Sequence, residues 1–185
     1  NTMAGVVRVH TEARTLKLKP CMGCRIETVE GLDFLAYPKN RKAYGRLCRL
    51  ISAGRMRTLS GEWQEKGECD ISLFMLAAHS ESVQLILLPP HDLAREFTVP
   101  AWSSNVVGLG GEKVQELVSA PLEGIVAHLV AGIPTLRHIA AAFLYSDSDV
   151  ARIERLDALA RANGLSILAT NDVHYHAPDR RPLQD

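Results

Sequence analysis

The stretch SDSDVARIERLDALARANGLSILAT, residues 146–170, decides the fold class. Ser146 and Ser148 are both suited to capping a helix start. Asp147 and Asp149 place negative charge in the first turn, where the helix dipole favours it. Val150, Ile153, Leu156 and Leu159 recur at helical spacing and predict one apolar face. Gly164 stands at the C-terminal stop, where a left-handed residue closes a helix. The short apolar run SILAT then predicts a buried strand. A helix that feeds a strand through a glycine turn is the repeating unit of an α/β fold.

The rest of the chain reads outward from that unit. NTMAGVVRVHTEARTLKL (1–18) predicts a helix capped by Thr2. CRIETVEG (24–31) and GLDFLAYP (31–38) alternate as the two strands of a hairpin. NRKAYGRLCRLISAGR (40–55) predicts a second helix, with Tyr44, Leu47, Leu50 and Ile51 on its apolar face and Gly54 as its stop. ISLFMLAAHSES (71–82) suits a short helix, and VQLILLPP (83–90) a buried strand ended by two prolines. Residues 91–111 are the least regular part. GEKVQELVSAP (111–121) reads as a further helix, and EGIVAHLVAGI (123–133) as holding another strand. The alternation predicts largely parallel strands, whose carboxyl ends are where chemistry collects in such folds. There is no internal repeat and no low-complexity segment.

A length of 185 residues suffices for one sizeable domain with its own core. Lys plus Arg equals Asp plus Glu, 21 against 21, so the formal net charge is zero. That balance exerts no global pull on DNA or membrane, yet permits a local basic patch. No apolar run is long enough to span a bilayer, and the first residues carry His, Glu and Arg where a secretory leader would be apolar. The expected location is the cytoplasm, with no membrane partner. Cys21 and Cys24 form a C-x-x-C, while Cys48 and Cys69 stand alone. A zinc site would need a second close pair, so these read as reduced thiols beside a strand. A chain opening at Asn1 and closing on RRPLQD reads as a piece of a longer protein.

Chemistry concentrates after the last strand, in NDVHYH (171–176). Asp172 and His174 are two apart, so in an extended segment both face one side. Carboxylate and imidazole together suit zinc, manganese or iron, though a metal needs about four ligands. The alternative is that Asp172 caps a turn and His174 bonds a loop carbonyl. His10 is expected at a surface or interface, and His79 and His128 at helix ends or beside strands. His91 and His138 remain further candidates. GLGGEK (108–113) lacks the spacing of a phosphate-binding P-loop, and no G-x-S-x-G nucleophile elbow occurs. Arg41, Lys42, Arg46 and Arg49 share the polar face of the second helix. That face could touch a DNA backbone or a neighbouring domain, or simply be solvated.

LATNDVHYHAPDRRPLQD (168–185) resembles the end of the PHP (polymerase and histidinol phosphatase) domain of bacterial DNA polymerase III alpha subunits. Together with YPKNRKAYGRLCRLISAGR (37–55) and KGECDISL (66–73), it is similar to the error-prone branch of that family. NTMAGVVRVHTEARTLKLKPCMGCRIE (1–27) resembles the segment that follows the domain's first metal motifs. The likeness covers nearly the whole chain. It implies a distorted (β/α) barrel whose first strands and first metal motifs lie upstream of Asn1, with a tail, 177–185, leading toward a polymerase region. It implies Asp172 and His174 as metal ligands, for zinc or manganese, at the barrel mouth. Two other family ligands are replaced: Arg25 stands where a Glu follows the Gly-Cys, and Phe143 where a His precedes the last helix. Glu27 and His138 are displaced from those positions.

The implied parent is an error-prone, DNA-directed DNA polymerase of replication and translesion repair, with DNA and deoxynucleotides as partners. Magnesium would serve its absent polymerase domain. This portion would be chiefly structural, packed on other domains of its own chain, with no catalytic residue of its own. The competing readings are a metal-dependent PHP phosphoesterase or 3′–5′ exonuclease module, and a non-catalytic interaction module of another protein.

Overall fold

A computed structural model describes residues 1–102, 106–107, 113–114, 116–143 and 145–171. Helix α1 spans Val6–Thr15. It starts later than Thr2, whose Oγ1 accepts from the Ala4 N–H in the turn ahead of it. Strands β1 (Cys24–Glu27) and β2 (Asp33–Pro38) form the expected hairpin, from Cys24 opposite Ala36 to Glu27 opposite Asp33. Helix α2 (Arg41–Met56) begins at Asn40, whose side chain accepts from the Ala43 N–H at 2.9 Å. Helix α3 (Leu73–His79) is capped in the same way by Ser72, and β3 (Val83–Leu88) follows.

Gly54 does not stop α2; it is buried inside the last turn. A Cβ there would sit 2.6 Å from the Asp70 carbonyl oxygen, so glycine is needed for close backbone approach.

The middle of the chain departs from the sequence reading. Strand β4 (Glu96–Pro100) lies in the stretch expected to be least regular. Two-residue strands β5 (Val106–Val107) and β6 (Lys113–Val114) pair with each other. Strand β7 (Leu117–Pro121) occupies part of the segment expected to be a helix. It pairs antiparallel with β4, placing Phe97 opposite Ala120 and Val99 opposite Val118. That pairing overrides the local helix preference of Glu, Gln and Leu. Helix α4 (Leu122–Gly132) replaces the expected strand, because Leu122, Ile125, Val126 and Leu129 fall on one helical face and are buried. The strand comes next, as β8 (Leu136–Ala142).

Helix α5 (Asp149–Ala162) and β9 (Ser166–Thr170) confirm the deciding stretch, and Gly164 adopts φ +68° at the stop. Two details differ. Ser148 makes no side-chain cap bond; instead Asp149, 1% exposed, accepts from the Ser146 N–H and hydroxyl. Val150 is largely exposed, and the buried face carries Asp149, Leu156 and Ala160.

The main sheet has five strands in the order β1-β2-β3-β8-β9. Only β2 runs antiparallel to its neighbours, so β1, β3, β8 and β9 share one direction. One sheet face places Cys24, Ile26, Phe34, Ala36, Leu85, Leu87 and Ile139 in the core, with residues of α2, α3, α4 and α5. Strand β9 lies at a sheet edge and is half exposed rather than buried. Among the described residues the sheet is open, and no closed barrel forms.

Candidate functional site

The second face of the sheet is the floor of a cleft of about 1320 Å³. Strand alternation puts Arg25, Asp33, Leu35 and Tyr37 on this face from β1 and β2. It adds Gln84, Ile86 and Leu88 from β3, Ala140 and Ala142 from β8, and Leu168 and Thr170 from β9. The floor is mainly aliphatic. Its C-terminal mouth is framed by Pro89, Pro90 and His91 after β3, by Ser146, Ser148 and Asp149 at the start of α5, and by Asn171 after β9. The carboxyl ends of parallel strands therefore open into one cavity, as an α/β sheet favours.

Arg25 lies across the β1–β2 end of the floor. Its guanidinium pairs with Asp33 at 2.5 Å and with Glu27 at 3.3 Å. All three are on one face, since Glu27 is opposite Asp33 and Arg25 is two residues away. On the far side, Arg152 of α5 donates to the carbonyls of Pro90 and His91, both at 2.7 Å. Burial draws the Arg152 pKa down from its ordinary value, and nearby Asp149 opposes that. The lining cations are Arg25, Lys39, Arg95 and Arg152, against the acids Asp33 and Asp149. The side-chain amide nitrogen of Gln84 is buried without a hydrogen-bond partner among the described residues.

The proposed metal ligands Asp172 and His174 lie outside the described residues. Among the described residues, no group of three His, Cys, Asp or Glu stands together to hold a metal. Arg25 is a cation already bonded to the Asp33 and Glu27 carboxylates, and an arginine cannot ligate. The described donor set does not fit a divalent ion. Phe143 follows the C-terminal end of β8, half exposed and edge-on to Tyr145. His138 lies in the first half of β8, where its Nδ1 meets the Ser166 hydroxyl at 2.8 Å, away from the mouth.

The remaining histidines separate. His10 is on the exposed side of α1, and His79 ends α3 with its ring on the Met75 carbonyl. His128 lies in the middle of α4 rather than at a helix end. His91 borders the cleft. All four cysteines are free, with Cys21 exposed and Cys24 buried. Of the basic face of α2, Arg46 is pulled aside to Glu81, while Arg41, Lys42 and Arg49 remain exposed. Lys39, Arg95, Arg152 and Gln84 were not flagged by the sequence. Period-two alternation in DFLAYP and VQLILL does group the lining residues, but it cannot say which sheet face stays open.

No protein-family profile matches the chain. Curated relatives do. An error-prone DNA polymerase of Caulobacter vibrioides is 34% identical over 186 residues, covering all of this chain. One from Bradyrhizobium diazoefficiens is 37% identical over 190 residues, and one from Brucella abortus 31% over 190, again across the whole chain. The chain spans 14% of the first two relatives and 15% of the third. No helix among the described residues is long and apolar enough to cross a membrane.

Proposed function

We propose that this chain is the PHP-type portion of an error-prone DNA-directed DNA polymerase, and that it serves the polymerase as a structural module. The observation that carries the reading is similarity along the entire chain to proteins named error-prone DNA polymerase. The open sheet supports the structural role. Its floor of Leu35, Ile86, Leu88 and Leu168 is an apolar surface suited to cover by a neighbouring part of the same polypeptide. Strands outside this chain would then complete a distorted (β/α) barrel.

Arg25 supports an inactive metal corner, because it sets a cation against Asp33 and Glu27 where a ligand would otherwise serve. In this reading Asp172 and His174 are a two-ligand remnant that holds zinc or manganese poorly. Nucleotidyl transfer to DNA, with deoxynucleotides and magnesium, belongs to other parts of the polypeptide and to replication and lesion repair in the cytoplasm.

Two measurements on the full-length polypeptide test this. Template-directed primer extension is expected, and its absence would overturn the polymerase assignment. Metal analysis with phosphatase and 3′–5′ exonuclease assays is expected to give no stoichiometric zinc or manganese and no hydrolysis that depends on Asp172. Bound metal with hydrolysis abolished by Asp172→Asn would sink the structural role and favour a phosphoesterase.

A further inference from the structure

Charge is distributed unevenly along this chain. Between residues 39 and 57 stand Lys39, Arg41, Lys42, Arg46, Arg49, Arg55 and Arg57, and no Asp or Glu. The whole chain is formally neutral, so those seven positive charges leave −7 on the other 166 residues. Nearly all of the basic segment is helix α2. An electrostatically polarised molecule of this kind presents one face to anions.

The structure sorts these cations. Arg46 pairs with the Glu81 carboxylate and donates to its backbone carbonyl. Arg55 donates to the Asn1 carbonyl at 2.8 Å. Arg57 donates to the Gly61 carbonyl and covers the Trp63 ring at 3.7 Å. Arg41, Lys42 and Arg49 are exposed and form no ion pair among the described residues. At 100° per residue they share a stripe with Gly45, Ser52 and Ala53. Gly45 keeps that stripe low, since a Cβ there would meet only the Arg49 guanidinium, at 3.8 Å. Arg41 and Arg49 are two turns apart, about 12 Å along the axis, so the cations are spaced along the helix rather than clustered at one point.

We propose that the Arg41–Lys42–Arg49 face of α2 docks the phosphodiester backbone of a nucleic-acid strand, without reading its bases. Composition decides between this and an acidic protein surface. A protein interface is anchored by buried aromatic or aliphatic side chains ringed by polar ones. This stripe offers cations and small residues, with only Met56 as an exposed large apolar side chain at its end. Backbone contacts to phosphate need spaced cations and no apolar anchor. The inference uses the charge and geometry of α2 alone and does not depend on the metal corner.

The test reads Lys42 itself in the full-length polypeptide. Reductive methylation of Lys42 is followed by mass spectrometry with oligothymidylate or polyglutamate present. Oligothymidylate is expected to protect Lys42. With three phosphate contacts on a single strand, the affinity read from that protection falls about 20-fold between about 50 and 200 mM salt. The double variant Arg41→Ala/Arg49→Ala is expected to lose most of the protection with unchanged circular dichroism. Arg8→Ala, which removes one exposed cation from α1, is expected to keep it. Failure of oligothymidylate to protect wild-type Lys42 at low salt overturns the proposal, whether or not the variants fold. Equal protection by polyglutamate overturns it too, in favour of an acidic protein partner. So does protection that survives the double variant.

Discussion

Arg152 on α5 donates a guanidinium N–H to the backbone carbonyl of His91 at 2.7 Å, sixty-one residues earlier in the chain. Its second terminal nitrogen donates to the adjacent Pro90 carbonyl, also at 2.7 Å. The loop leaving β3 begins Pro89-Pro90, and proline has no N–H to donate. Its carbonyls therefore need an outside donor, and the planar guanidinium fork supplies two with one side chain. The fork ties the mouth of the cleft to the start of the deciding helix.

Arg152→Ala is expected to lower folding stability by about 1–2 kcal/mol, the loss of two charge-assisted bonds at a half-buried site. Arg152→Lys restores only part of this, because a single ammonium cannot fork across two carbonyls. Urea denaturation checks both. An Arg152→Ala chain with the wild-type midpoint would mean that the prolines alone hold the loop.

Two glycines of α2 are expected to respond in opposite directions to the same change. Gly45→Ala meets only the flexible end of Arg49 and gains helix propensity, so it is expected to stabilise by about 0.5–1 kcal/mol. Gly54→Ala would press a methyl to 2.6 Å from the Asp70 carbonyl and 3.0 Å from the Ile71 side chain. It would also disturb the bond by which the Asp70 N–H reaches the Gly54 carbonyl. A loss of about 1–3 kcal/mol is expected, as for other overpacked sites. Thermal melts of the two variants side by side decide it, and a stabilised Gly54→Ala would refute the close approach.

That contrast marks what was legible in the sequence. Gly54 reads as a helix stop because the carbonyl that crowds it belongs to Asp70, and sequence shows no such distant contact. Local patterns were read correctly where they needed no distant partner, in the hairpin alternation of CRIE and DFLAYP and in the Gly164 stop; the Asn40 and Ser72 caps went unread. Local patterns misled where tertiary pairing won. GEKVQELVSAP carries helix-favouring Glu, Gln and Leu, yet Phe97 and Val99 of β4 recruit its second half into a strand. EGIVAHLVAGI looks like a strand for its aliphatic run, but its length and its buried Ile125, Val126 and Leu129 are those of a helix. The strand LRHIAAA was hidden by Arg137 and His138, the latter hydrogen-bonded to Ser166. At the site, Arg25 was singled out by the resemblance alone, and its bonds to Asp33 and Glu27 needed the hairpin register. Asp172 and His174 lie outside the described residues.

Arg25 lends itself to a reversal. Arg25→Glu would place three carboxylates, at 25, 27 and 33, on one face of the β1–β2 hairpin. Like charges directly opposed on a sheet destabilise, here by about 1 kcal/mol or less because the site is half exposed. The same three carboxylates suit a hard divalent cation. The variant is expected to melt below wild type without metal and to recover in millimolar manganese, while wild type is indifferent to manganese. Scanning calorimetry with and without the ion tests this. A wild-type chain stabilised by manganese as strongly as the variant would show that Arg25 does not block the corner.

Cys24 and Cys21 are three residues apart and are expected to differ in reactivity. Burial pushes the Cys24 thiol up to about 11, with Cys48 adding to the shift. Cys21 is exposed. The thiolate is the nucleophile, so iodoacetamide at mildly alkaline pH is expected to label Cys21 and to spare Cys24 in the folded chain. Both should label in urea. The same shift fixes the sign of a stability effect. The folded pKa lies above the unfolded value of about 9, so the unfolded chain loses this proton first as pH rises. The stabilisation that Cys24 contributes is then complete below about pH 9 and is lost progressively toward about pH 11. Cys24→Ala removes that titration, and its stability should fall less steeply than wild type across the same window. Peptide mapping after alkylation reads the first effect and urea midpoints across the window read the second. Equal labelling of Cys21 and Cys24 in the native chain would place Cys24 outside the core formed by Ile26, Phe34 and Leu47.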